Sequence, residues 1–362
     1  MKILVITSRY TATRDIIVED FGRQTRLFEA LKKLKHDIDF FCADYIKLEN
    51  KNLRLHGINV FIRPFSIYHF LNFSNNLDQT LKTGKYDLLI AASDPIWGFF
   101  GYYCAKRHKI KFLYDLHDNY ETYLTYKIPF FELIDKKIIK KASIVTTVSK
   151  SLKEKISSIR KDKVFVIENG ADIDLFKPKD KIISRKKLNL PPKAKIIGYS
   201  GTLQKMQGID VLLEAFNILK KDVDNAYLVL AGRKRIKTEK LDLTGKGIVW
   251  LKDADQKKIV ELINAADVNV IPNTINEFTK YCFPYKVIEY MACNAKIVAT
   301  RVGDVENIVP KNCLCVANNA NALAKKIKSK LNSKEKINYR KTAKKYTWDN
   351  IARKFDKVIR NN

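Results

Sequence analysis

Short apolar runs alternating with helical patterns constrain this chain more than any other feature. Lys2 to Ser8 (KILVITS) is apolar without alternation and closes on polar residues, which reads as a parallel strand buried on both faces. From about residue 22 to 35, Leu27, Phe28, Leu31 and Leu34 recur at helical spacing, and 38–42 is again a strand. The alternation continues with expected strands at 59–62, 87–91, 111–114, 144–148 and 164–167, and helices at 75–82, 96–107, 129–141 and 150–159. Between Phe176 and Pro192 it breaks into charged residues with Pro178, Pro191 and Pro192, and the chain is too long for one ordinary core. Domains of 1–176 and 177–346 are therefore expected. Alternation resumes with strands at 195–200, 227–231, 248–251, 268–271, 296–300 and 313–316, and helices at 209–220, 255–265 and 284–294. The tail, 320–360, reads as helical. The fold class is α/β with doubly wound sheets, whose ligands bind beyond the carboxyl ends of the strands.

An apolar share of 46% and few Gly or Pro exclude a disordered chain. The six cysteines lack CxxC spacing and read as reduced core residues. The N-terminal apolar run is too short for a signal-peptide core, and no uncharged stretch approaches the ~20 residues of a membrane span, so a cytoplasmic location is expected. The net charge of +29 points to anionic partners: nucleic acid, anionic lipid headgroups or phosphorylated substrates. Lysines are spread over both halves with no recognisable nucleic-acid module, so nucleic acid is not expected as a partner. A membrane surface or an acidic substrate is preferred over a merely solvated surface. Within 129–141, Phe130, Phe131, Ile134, Ile138 and Ile139 fall on one side, with Lys136, Lys137, Lys140 and Lys141 near the end. Such a helix either packs on its own sheet, the commoner outcome, or lies on an anionic membrane.

The densest chemistry lies in 276–304. Pro284 suits the first residue of a helix that Asn294 stops, and Lys286 and Glu289 share one face of it. Helix N–H groups with an ammonium favour a diphosphate, and the carboxylate can accept from a ribose diol. The bland alternative is a surface ion pair. Gly201 and Gly208 allow backbone to approach a ligand in the first loop of the second half, whereas GxGxxG is missing from the first. His117, just after the strand 111–114, can bond a sugar hydroxyl or shuttle a proton. Equally, it can be a loop histidine paired with Asp115 or Asp118.

The order and spacing of MKILVIT, IVTTVSKSLKEK, VIENGADIDLF, YSGTLQKMQGIDVLLEAF, LINAADVNVIP, FPYKVIEYMACNAKIVAT with VGDVENIV, and YTWDNIARKF resemble the family 4 (group 1) glycosyltransferases of the GT-B fold. The resemblance covers nearly the whole chain. It implies two Rossmann-like domains facing across a cleft, the last helix (347–362) crossing back to the first. It also implies hexosyl transfer from a UDP- or GDP-linked sugar, usually retaining, without a bound metal or any cofactor besides the nucleotide-sugar. A lipid-linked or saccharide acceptor fits, in surface polysaccharide or glycolipid synthesis at the inner membrane face. Glu289 matches the second glutamate of the family's pair, which holds the ribose, and Tyr281 stands at the position of the first. His117 matches the histidine beside the donor sugar, Asn169 opens the matching NGxD turn, and Glu306 matches an acidic residue after the nucleotide-site strand. The Arg and Lys that usually flank the glycine loop are Thr202 and Gln207 here. Lys205, Lys286 or Arg233 is then expected to meet the diphosphate charge, Lys286 first because it shares a helix start with Glu289. The rivals are a sugar-nucleotide epimerase of the same fold, a non-catalytic relative and, least favoured, a nucleic-acid binder.

Overall fold

A computed structural model describes residues 1–11, 14–20, 22–234 and 241–362. Contacts divide the chain into two compact units, Met1–Asn169 with Trp348–Asn362, and Gly170–Thr347.

The first unit begins with β1 (Lys2–Ser8), a two-stranded ribbon of β2 (Tyr10–Thr11) and β3 (Arg14–Asp15), and α1 (Arg23–Lys33). It continues through β4 (Asp37–Asp44), β5 (Lys51–Leu55), β6 (Ile58–Pro64), α2 (Phe70–Gly84), β7 (Leu88–Ala92), α3 (Pro95–His108) and β8 (Lys111–Leu116). α4 (Phe131–Lys141), β9 (Ile144–Thr147), α5 (Lys150–Ile156) and β10 (Val164–Val166) complete it. The sheet order is β10-β9-β8-β7-β1-β4-β6-β5. All its pairs are parallel except β5 with β6. Ile3, Leu4, Val5 and Ile6 are fully buried, as a strand covered by helices on both faces requires. The order reverses between β1 and β7, so a ligand crevice belongs at the carboxyl ends of those two strands.

Sequence reading missed β5. Its exposed positions alternate at a sheet edge, and it joins β6 through His56 and Gly57, both at positive φ, a two-residue hairpin turn. In α4 the inward side chains are Phe131, Asp135, Ile138 and Ile139, whereas Phe130 and Leu133 are exposed. The expected apolar face forms except at Phe130, which precedes the helix, and Asp135 shares the inward side, where it accepts hydrogen bonds from the Tyr114 hydroxyl at 2.7 Å and from that of Tyr126. The C-terminal helix Trp348–Asn361 belongs to this unit and packs on α1, with Phe355 edge-on to Phe28 at 6.4 Å and Asp356 2.6 Å from His36 Nε2.

The second unit contains α6 (Lys181–Lys187), β11 (Lys195–Ser200), α7 (Ile209–Leu219), β12 (Ala226–Ala231), β13 (Ile248–Leu251), α8 (Gln256–Ala265) and β14 (Val268–Ile271). There follow α9 (Tyr285–Ala292), β15 (Ile297–Thr300), α10 (Val305–Ile308), β16 (Leu314–Cys315), α11 (Ala320–Asn332) and α12 (Arg340–Ala343). Its sheet, β13-β12-β11-β14-β15-β16, is parallel throughout and reverses between β11 and β14.

One expectation fails here. The charged stretch after Phe176 holds α6, capped by Asp180 and docked on α8 through buried polar groups. Arg185 donates to Ala265 O at 3.0 Å and Asp267 at 2.8 Å, while Lys179, Lys187 and Ser184 converge on Glu261. Burial would raise the Glu261 carboxyl, but these donors hold it down at about 2. Charge thus marked a buried network and not a break in the alternation. The tail is helical in several pieces. α11 stops at Ser333, and Arg340 then donates to the carbonyls of Ile173, Phe176 and Ala292, which requires the chain to turn. All six cysteines are buried and free, as expected.

Candidate functional site

At the reversal point of the second unit, β11 ends in Tyr199 and Ser200 and passes into the loop 201–208. Gly201 has φ +139, and a Cβ there would stand 2.9 Å from Lys286 Nζ and 3.1 Å from Tyr199 Oη. Gly208 closes the loop at φ +77, where a Cβ would fall 1.8 Å from the carbonyl oxygen of Pro272 at the end of β14. Gly208→Ala is therefore expected to destabilise the protein by about 2–4 kcal/mol, read as a lowered denaturation midpoint, through backbone strain and overpacking together.

α9 delivers Lys286 to this loop. Pro284 is the residue that caps the helix and Tyr285 its first member, one position later than the sequence suggested. Lys286 is 9% exposed and its Nζ donates to Tyr199 Oη at 3.1 Å and Gln207 Oε1 at 3.4 Å. The ammonium also lies 4.3 Å from the centre of the Tyr199 ring, a cation–π contact. Burial pushes its pKa down to about 8, against the opposing pull of Cys282 and Glu289. Glu289, half-buried, stands one turn further along the same helix.

The structure thus gathers Gly201, Gln207 and Lys286 and adds Tyr199, which the sequence did not single out. Tyr199 also donates to the carbonyl of Thr202 at 3.0 Å, which holds the loop over the ring. Lys205 is exposed and lines a shallow cavity of about 260 Å³ with Asp210, Leu213 and Asn217 on the solvent side of α7. Arg233 is exposed and paired with Asp253 at 3.2 Å. Tyr281 ends a 3₁₀ turn, Thr279–Tyr281, and Glu306 is exposed on α10. Asn273, just past β14, is buried with neither side-chain amide atom hydrogen-bonded, and nothing in the sequence pattern marks it.

In the first unit His117 follows β8 and pairs with Asp115. Nε2 lies 2.7 Å from Asp115 Oδ2, and Gln24 Nε2 stands 3.4 Å from Nδ1. An ionised Asp115 carboxylate can only accept, so Nε2 carries a proton toward it. Asp115 also receives Nε and Nη2 of Arg23, each at 3.0 Å, and the Thr146 hydroxyl at 2.6 Å. Burial would raise this carboxyl, but the Arg23 guanidinium and His117 outweigh it and hold it well below the usual carboxylate range. Arg23 continues to the carbonyls of Ile167 and Glu168 and to Asn169 Oδ1, so Asn169 is joined to the histidine through one guanidinium. Sequence reading missed Arg23 because a basic residue opening a helix carries no sign that it will be buried.

The Glycosyltransferase Family 4 description matches residues 25–175 and Glycosyl transferases group 1 matches 180–349, so each unit is matched by its own description. The chain belongs to the group 1, family 4 glycosyltransferases. D-inositol 3-phosphate glycosyltransferase 2 of Catenulispora acidiphila is 29% identical to this family 4 chain over 161 residues, 41% of it and 36% of the relative. The lipopolysaccharide 1,2-N-acetylglucosaminetransferase of Salmonella typhimurium is 25% identical over 55% of the chain and 56% of that protein. The chain thus spans between a third and about half of these curated relatives' length. Among solved structures, HepE of Anabaena in complex with UDP-glucose is 18% identical with a TM-score of 0.79, covering all of both chains. Sucrose-phosphate synthase of Thermosynechococcus elongatus is also 18% identical, with a TM-score of 0.76 over 99% of this chain and 98% of that one. These likenesses show the GT-B fold.

Proposed function

We propose that the chain transfers a hexosyl group from a UDP- or GDP-linked sugar to a hydroxyl of a lipid-linked or saccharide acceptor, with retained anomeric configuration, in surface polysaccharide or glycolipid synthesis. The observation that carries this reading is the Lys286 ammonium held at the glycine loop with Glu289 one turn along the same helix. Departure of the nucleoside diphosphate builds negative charge, and fixed cations and N–H groups that meet it supply the dominant catalytic term. Gln207, neutral where the family resemblance places a cation, accepts from Lys286 instead, so the charge arrives from the helix and not from the loop. Lys286 and the first N–H groups of α9 hold the diphosphate, Glu289 accepts from the ribose diol, and no step needs a bound metal. Chelators are accordingly without effect in this reading. Lys205 and Arg233, both solvent-facing, rank behind Lys286 for this role. The UDP-glucose of HepE and the sugar-transfer names of the curated relatives support the donor class.

The test is thermal stabilisation by UDP, GDP and their sugar conjugates, followed by product analysis. One base is expected to raise the melting temperature, since native-state binding stabilises by mass action, and Glu289→Ala is expected to abolish the shift. Lack of stabilisation by any of them would sink the donor site. Conversion of the donor sugar without an acceptor would favour an epimerase of the same fold.

A further inference from the structure

The helix that carries Lys286 and Glu289, α9, has eight residues and is too short to keep an orientation of its own, so whatever holds its ends sets where those two side chains stand. Its start follows Phe283, whose ring lies 5.6 Å from that of Tyr346. At its far end Ala292 O, one of the carbonyls that a helix terminus leaves without an intrahelical partner, accepts from Arg340 Nη1 at 2.6 Å. Asn294 stands just past the helix at φ +51, and its Oδ1 accepts from the backbone N–H of Arg340 at 2.8 Å.

The same guanidinium reaches a second segment. Nη1 also donates to Phe176 O, and Nη2 to Ile173 O, each at 2.8 Å. Ile173 and Phe176 lie just after Gly170, where the chain enters the second unit, and the chain leaves that unit at Thr347, shortly after Arg340. Entry and exit are paired: Ala171 N donates to Tyr346 O at 2.8 Å, and Ala171 forms a parallel bridge with Thr347. Among the described residues no carboxylate pairs with Arg340, so its charge is met by backbone carbonyls and by the negative end of the α9 dipole. A planar fork can hold the carbonyls of both segments at once, whereas an ammonium is a single point charge. We propose that Arg340 is a positioning residue of the donor site, which fixes α9, and with it Lys286 and Glu289, to the paired segments through which the chain enters and leaves the second unit. A displacement of about 1 Å at such groups can cost on the order of 100-fold in rate. Coupling is reciprocal, so a diphosphate that holds the start of α9 also steadies the stretch from Ile173 to Phe176.

The inference rests on the reading of Lys286 and Glu289 as donor-binding groups, and its test separates the two. Hydrogen exchange of the full chain is followed over 170–176 and 284–292, with and without saturating UDP and, separately, GDP, in the parent, Arg340→Met and Arg340→Lys, beside the Kd of each nucleotide. In the parent the nucleotide that binds is expected to slow exchange in both segments by roughly 10-fold. Each variant is expected to bind it roughly 10-fold more weakly and to lose the slowing over 170–176 while keeping that over 284–292. Arg340→Lys keeps a cation at the helix end, so it serves where the Met variant fails to fold. A merely structural arginine would lower the melting temperature of the nucleotide-free variants and leave both Kd and the pattern of slowing as in the parent, and that result removes Arg340 alone. If neither nucleotide slows exchange anywhere in the parent, the donor reading falls and this inference with it.

Discussion

Lys286→Met is expected to weaken nucleoside diphosphate binding by about 2–4 kcal/mol, roughly 30- to 1,000-fold in Kd, without lowering the melting temperature of the nucleotide-free protein. The two halves of this expectation have one cause. In the free protein the ammonium is buried, and its pKa falls to about 8 from an unfolded value near 10.5. Below pH 8 the folded chain carries the full cost of that buried charge, and removing the charge relieves it. Between the two values the unfolded chain binds more protons, so stability rises with pH, and the gap between the variant and the parent closes. A bound diphosphate reverses the balance by favouring the charged lysine. Nucleoside diphosphate affinity should therefore fall as pH climbs past 8, and calorimetric titration above that pH should register proton uptake, both absent in the variant. Unchanged affinity in Lys286→Met, or a pH profile that survives the substitution, would remove Lys286 from the site.

Asp115→Ala is expected to destabilise the first unit by about 3–5 kcal/mol, because it removes the carboxylate that the buried Arg23 guanidinium pairs with. The double variant Arg23→Met with Asp115→Leu should recover most of the loss, since replacing a buried pair with apolar groups of similar volume costs little. Denaturant midpoints of the single and double variants check this, and a single variant as stable as the parent would show the pair is not buried in solution. The pH dependence has a definite sign. The folded carboxyl titrates well below the unfolded one, so its contribution is complete above the ordinary aspartate range and is lost only as pH falls beneath it.

The comparison of Lys286 with Arg23 shows where sequence reasoning reaches and where it stops. Lys286 was legible because Pro284, Lys286 and Glu289 lie within two turns of one helix, and helical spacing alone puts the two charged groups near its start. That its ammonium rests against Tyr199 and Gln207 depends on two strands and a loop far away in the chain, and no local pattern carries that information. Arg23 lies within two turns of Phe28 and reads as one more charged residue of an amphipathic helix. Its burial follows from Asp115, Thr146 and Asn169 arriving from three other elements. The charged stretch 181–187 misled for the same reason: polarity read as solvent exposure, but Glu261 and Asp267 waited on a neighbouring helix and strand end.

By itself the sequence determined the alternation of strand and helix, the two doubly wound sheets and the family, because apolar periodicity and motif order are properties of the chain taken in order. Only the tertiary structure decided which charges are buried and partnered, and that His117 faces Asp115 with a proton on Nε2. Those outcomes depend on contacts between residues distant in sequence, and burial is set by what packs against a side chain and not by the identity of its neighbours in the chain.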